Sequence, residues 1–100
     1  MAGQLRVGNY YVDKNDTAFK QFSGGTGERT YTKYIKFDPD LTGNVSVVLG
    51  LTHLDKGDPT GLRIDVQAKN VDREGFELVM TTWADTDISG VGCSWIAAYG

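Results

Sequence analysis

Residues 62 to 69, LRIDVQAK, alternate without a break: Leu62, Ile64, Val66 and Ala68 fall on one side of an extended chain, and Arg63, Asp65, Gln67 and Lys69 on the other. Wound into a helix, that period of two would scatter the apolar groups around the axis, so the segment is predicted to be a strand with one wet face. The rhythm recurs along the chain. In residues 45 to 54, VSVVLGLTHL, positions Val45, Val47, Leu49 and Leu51 oppose Ser46, Val48, Gly50 and Thr52. In GFELVMTTW, Phe76, Leu78 and Met80 point one way, which leaves Glu77, Val79, Thr81 and Trp83 on the outward register. ISGVGCSWIAA, residues 88 to 98, places Val91, Cys93, Trp95 and Ala97 on one face.

Residues 29 to 37, RTYTKYIKF, are aromatic and β-branched at strand density, and a strand near Leu5 to Val12 makes six. Turn signals separate them: Asp38-Pro39-Asp40, Thr42-Gly43-Asn44, Lys56-Gly57-Asp58-Pro59 and Asp72 to Gly75. Six short strands so punctuated predict an all-β fold, an antiparallel sandwich or barrel. Two segments break the rhythm. Residues 13 to 28, DKNDTAFKQFSGGTGE, form a long polar connection with three glycines, and Ala84 to Ile88 form an acidic loop directly after Trp83.

A chain of 100 residues accommodates one domain, expected to span 1–100. Ten basic against thirteen acidic residues leave no basic footprint, which argues against nucleic acid as a partner, and no long apolar run indicates membrane insertion. Cys93 is the only cysteine, so an intramolecular disulfide and a multi-cysteine zinc site are excluded. The N-terminus, MAGQLRVGNYYV, has no basic stretch leading into an apolar run. No secretory signal is expected from it, and synthesis in the cytosol, with release by a non-classical route left open, is the default. On that basis the glycosylation patterns at Asn15 and Asn44 are chance matches.

Enzyme chemistry finds little to use. FSGGTGER resembles a phosphate cradle only in its glycines, because Gly27 leads through Glu28-Arg29 toward a strand rather than through Lys-Ser/Thr into a helix. It is either a surface turn that needs positive φ or a loop whose backbone approaches a ligand. His53, the only histidine, shares the strand face of Leu49 and Leu51 and is expected to be a packed or rim residue rather than a catalytic base. Neither Asp85-Thr86-Asp87 nor Asp55-Lys56-Gly57-Asp58 matches a calcium loop, and no carboxylate pair stands out for glycoside hydrolysis. No metal, cofactor or enzymatic activity is expected. Trp95 lies in an apolar stretch and belongs to a core or a subunit contact. Trp83, at a strand end before Ala84-Asp85-Thr86, is the exposed aromatic beside polar groups that a sugar site uses, although an oligomer interface uses the same arrangement.

VSVVLGLTHLD, LRIDVQAKNVDREGFELVMTTWADT and GCSWIAAYG, in that order, resemble the H-type lectins, the group of the snail agglutinin and the discoidin C-terminal domain. The resemblance covers about Tyr34 to Tyr99. It implies a six-stranded antiparallel β-sandwich that assembles as a homotrimer and binds galactose or N-acetylgalactosamine on glycans or glycoproteins. By position it gives Arg63 the role of a donor to sugar hydroxyls and Trp83 that of the ring beside the sugar, with Gly24 near a glycine whose backbone approaches it.

Three positions depart from the family pattern. Thr26 stands where an aspartate accepts from two hydroxyls, Ala84 where the snail lectin has a histidine, and Ser89 at a tyrosine position. Losing a carboxylate removes a charge-assisted hydrogen bond of roughly 1.5–3 kcal/mol. Glu28 or Asp85 is available as a replacement acceptor and Arg29 as a further donor. The alternative is a trimeric assembly module of the same fold without sugar binding.

Overall fold

The computed structural model describes residues 4–57 and 61–99; the Asp58-Pro59 part of one expected turn lies outside them. Six strands form: β1 Gln4–Asp13, β2 Arg29–Lys36, β3 Val45–Lys56, β4 Asp65–Lys69, β5 Gly75–Thr82 and β6 Ile88–Tyr99. They make two three-stranded sheets, β1-β6-β3 and β2-β5-β4, with every pairing antiparallel. This is the expected sandwich. No helix among the described residues is long and apolar enough to cross a membrane.

The two central strands carry the most thoroughly buried faces, because each has a neighbour on both sides and the opposite sheet above. On β5, Phe76, Leu78, Met80 and Thr82 are fully buried, and on β6 Val91, Cys93 and Ala97 are too, with Trp95 nearly so. The Trp95 ring packs against Phe37 and Phe76 at 5.7 and 5.4 Å between centroids. Its space comes from Gly8, its register partner on β1, where a Cβ would lie 2.6 Å from the indole. Trp95 is therefore a core residue. Burial also pushes the Cys93 thiol up from its ordinary pKa.

A second aromatic group closes the other end of the core. Phe19 and Phe22 are fully buried and stacked at 4.5 Å, and Phe19 meets Tyr31 edge-on. They are held by a 3-10 turn, Lys20–Phe22, whose approach is capped by Asp16: its Oδ1 accepts the amides of Ala18 and Phe19 at 2.8 and 3.2 Å. The segment expected to be a polar connection thus inserts two phenylalanines into the core. The Tyr31 hydroxyl bonds that of Tyr10 at 2.6 Å, and burial, then that bond, drive its pKa up.

Two further strand expectations are corrected. β4 begins at Asp65, so Leu62 does not share the inward face of Ile64, Val66 and Ala68 and is 51% exposed. In β3 a bulge between Leu51 and His53 shifts the register by one residue, and one residue is enough to exchange faces. His53 consequently leaves the face of Leu49 and Leu51. It lies opposite Gly92, exposed, with its ring edge-on to Tyr11 at 5.1 Å.

Candidate functional site

The end of the sandwich where β2 begins, β5 ends and β6 begins gathers three loops: residues 23–28, 61–64 and 83–87. Arg29, the first residue of β2, pairs with Thr82, the last of β5, and its side chain is buried beneath those loops. Its Nε donates to the Gly27 carbonyl at 2.9 Å, Nη1 to those of Thr86 and Gln21 at 3.0 and 3.3 Å, and Nη2 to that of Ala84 at 2.9 Å. A planar fork of fixed donors is what can satisfy carbonyls on three different segments at once. Arg29 is thus occupied in joining loops and is not the sugar donor the sequence offered.

The glycines answer to this arrangement. Gly25 passes over the arginine so closely that a Cβ would lie 2.4 Å from the Gln21 carbonyl oxygen and 2.8 Å from Arg29 Cδ. Gly24 and Gly27 have φ of +80° and +75°, the left-handed region that side chains disfavour. The Gly27 amide donates to the Ala84 carbonyl at 3.0 Å, so the glycine loop and the acidic loop are bonded backbone to backbone. Ala84 itself is left-handed, φ +58°, a conformation that costs a residue with a Cβ about 1–2 kcal/mol. Its carbonyl, turned back onto Gly27 and Arg29, offsets that cost.

Arg63 is positioned by two fully buried threonines. The Thr82 hydroxyl donates to the Arg63 carbonyl at 2.5 Å, and Arg63 Nη1 donates to Thr86 Oγ1 at 3.2 Å. The Thr86 hydroxyl in turn donates a hydrogen bond to the Gly61 carbonyl at 2.7 Å, and a Cβ at Gly61 would lie 2.8 Å from Arg63 Nη1. The same Nη1 reaches Asp85 Oδ1 at 3.1 Å, in a pair whose side chains are 35% and 64% exposed. Trp83, 43% exposed, precedes Ala84 and Asp85 in the same loop. A donor and an acceptor thus meet at the water-facing surface, and an exposed tryptophan precedes the acceptor by two residues. Among the described residues no group of three His, Cys, Asp or Glu side chains converges to hold a metal ion.

Of the residues singled out from sequence, Arg63 and Asp85 are in direct contact, and Trp83 and Ala84 share the loop of Asp85. Gly24 and Thr26 belong to the exposed loop that Gly27 and Arg29 tie to Ala84. Glu28 is exposed in the same loop. Ser89 is engaged elsewhere: its hydroxyl donates to the Asp55 carbonyl of β3 at 3.1 Å, and its own carbonyl accepts the Lys14 amide. Thr82 and Thr86 were missed. Thr82 did carry a signal, since it continues the inward register of Phe76, Leu78 and Met80 with a hydroxyl that needs a buried partner.

A family model described as the H-type lectin domain matches residues 32–98. The chain belongs to the H-type lectin family. The matched span contains Arg63, Trp83, Ala84, Asp85 and Ser89, and leaves Gly24 and Thr26 outside it. Discoidin II of Dictyostelium discoideum, in its wild-type structure, superposes on this H-type lectin domain with a TM-score of 0.85 at 22% identity, covering 98% of this chain and 37% of that one. A second structure, of recombinant discoidin II, gives 0.83 at 22% identity over 96% of this chain and 36% of that one. A Fuscovulum blasticum protein described as ATP synthase subunits region ORF 7 is 36% identical over 73 residues, which are 73% of this chain and 64% of that protein. The H-type lectin domain therefore spans less than two thirds of each of these relatives.

Proposed function

We propose that the Arg63–Trp83–Asp85 surface binds a terminal galactose or N-acetylgalactosamine of a glycan or glycoprotein, and that the chain acts as a multivalent homotrimer without enzymatic activity. The observation that carries this is the Arg63–Asp85 contact, two residues along the chain from a half-exposed tryptophan, with Arg63 set in place by Thr82 and Thr86 before any ligand arrives. The indole packs on the C–H face of the sugar ring, Arg63 donates to ring hydroxyls, and Asp85 accepts from them. Asp85 supplies the carboxylate that Thr26 does not, while the glycine loop forms the adjoining wall. Because the loops are held by Arg29 from below, little ordering is left for the ligand to impose.

Trimerisation is supported by the outer face of β1-β6-β3. Val7, Ile96 and Val48 stand in one cross-strand row and are 69, 49 and 68% exposed. Leu5, on the same strand as Val7, is exposed as well. Contiguous apolar surface of that kind marks an interface. Shallow sugar sites are weak one at a time, and linking them raises avidity without new contacts.

A glycan array followed by calorimetry on the wild-type chain and Trp83→Ala tests the reading: wild type binds galactose-type glycans and the variant does not. Absence of binding to every glycan at millimolar ligand overturns it. One observation favours the assembly module instead, namely that Arg63 and Asp85 already satisfy each other without a sugar. On that reading Arg63→Ala and Trp83→Ala change oligomerisation or stability, and no glycan binds.

A further inference from the structure

At the opposite end of the sandwich, where β3 begins and β6 ends, Gly43, Asn44, Val45, Val71, Asp72 and Arg73 line an open, solvent-facing pocket of about 420 Å³. That volume lies within the range of small-molecule sites, roughly 300–1,000 Å³. The geometry points to this pocket as a second ligand site, for a neutral polyhydroxylated molecule such as a monosaccharide, independent of the site at the Trp83 end.

The walls are set in advance on both sides. Leu41, fully buried, anchors the approach to β3, and its amide donates to the Arg73 carbonyl at 2.7 Å, clamping the two loops together. Gly43 has φ +83° and lies under the Tyr99 ring, where any Cβ would clash with Cε1. On the other wall, Asp72 Oδ1 accepts the amides of Glu74 and Gly75 at 2.8 and 3.1 Å, and the Asp72 amide donates to the Gly75 carbonyl at 3.0 Å. The turn is thereby closed on itself, with the second carboxylate oxygen of Asp72 left over as an acceptor.

Chemistry then selects the ligand class. Val45 and Val71 pack against the core and provide an apolar floor. Above it stand the Asn44 amide, the Asp72 carboxylate and the Arg73 guanidinium, whose side chain has no partner among the described residues. One positive and one negative group cancel, so a phosphate or carboxylate meets repulsion from Asp72 and a cation meets it from Arg73. A purely apolar ligand leaves three polar groups desolvated without partners, at a cost of about 1–3 kcal/mol each. A sugar or polyol satisfies all of them: its hydroxyls donate to Asp72, accept from Arg73 and do both with Asn44, while its C–H face rests on the valines. A chain with a sugar site at each end bridges two glycans by itself.

Amide chemical-shift titration with methyl galactoside, methyl glucoside and methyl mannoside, each to millimolar excess, tests this. Expected are saturable shifts at Gly43, Asn44, Val71 and Arg73 with at least one of the three, lost in both Arg73→Ala and Asn44→Ala and retained in Trp83→Ala. The same spectra show whether each variant is folded. No saturable shift at residues 43–45 or 71–73 with any of the three overturns the inference, as does persistence of those shifts in both pocket variants. Shifts at residues 83–86 report on the first site separately, so either site can fail while the other stands.

Discussion

Arg29 Nη2 donates to the carbonyl oxygen of Ala84 at 2.9 Å, and through that bond the strand that opens the second sheet holds the loop carrying Trp83 and Asp85. The guanidinium is buried and faces carbonyls of Gln21, Gly27, Ala84 and Thr86. Charge-assisted bonds of this kind are worth about 1.5–3 kcal/mol each when a buried partner would otherwise be stranded, although they do not add. Arg29→Ala is expected to lower unfolding free energy by about 3 kcal/mol or more in denaturant titration. It should also abolish sugar binding, though Arg29 lies beneath the surface proposed to bind it. Arg29→Lys should recover only part of either, since a point charge cannot span the three segments. A loss of less than about 1 kcal/mol in the alanine variant would show that the loops hold themselves.

Asp85 separates binding from stability. Its ion pair with Arg63 is largely exposed, so Asp85→Ala should change stability by less than about 1 kcal/mol. Binding should weaken by about tenfold or more, the consequence of losing one charge-assisted hydrogen bond to a sugar hydroxyl. Calorimetry beside thermal melts measures both. Unchanged or tighter binding would mean that Asp85 competes with the ligand for Arg63.

How much of this was legible follows from the range of the interactions. The inward faces of β5 and β6 were plain because alternation is a local consequence of strand geometry, and each central strand buries one whole face. Trp83 was legible for the same reason: it continues an outward register. The β3 bulge was not, because one inserted residue in VSVVLGLTHL leaves the composition unaltered while moving His53 to the other face. Phe19 and Phe22 were hidden among polar neighbours, with the Asp16 cap and their three-residue spacing the only local hint. Arg29 was harder still. Its role depends on carbonyls 55 and 57 residues away, which only the sheet pairing brings within reach.

Tyr31 makes stability depend on alkaline pH. Burial, reinforced by the bond to Tyr10, raises its pKa above the ordinary 10.0, so the folded chain keeps a proton that the unfolded chain gives up. A raised folded-state pKa stabilises fully below the unfolded value and loses that contribution as pH climbs above it. Cys93, also raised by burial, acts with the same sign from its lower ordinary value of 9.0. Tm is therefore expected to hold to about pH 9 and then fall, more gently in Tyr31→Phe than in the wild type. An equally steep decline in Tyr31→Phe would assign the alkaline limb to other groups.

The row Val7–Ile96–Val48 offers the clearest test of assembly, because it crosses all three strands of one sheet, whereas Arg63 and Trp83 flank strands of the other. Val48→Lys with Ile96→Lys places two charges on this exposed face without entering the core, where Val47 and Ala97 point. If this face is the trimer contact, light scattering should show the wild-type chain as a trimer and the double variant as a monomer. Monovalent sugar affinity by calorimetry should be unchanged, whereas retention on a multivalent glycan surface should fall by about a hundredfold or more, the lower range of avidity gains. A wild-type monomer, or a double variant that remains trimeric, would remove this face from the assembly. Loss of monovalent affinity in the monomer would carry a different lesson: a neighbouring copy would then supply part of the site, and Gly24 and Thr26 would be the first residues to exchange between copies.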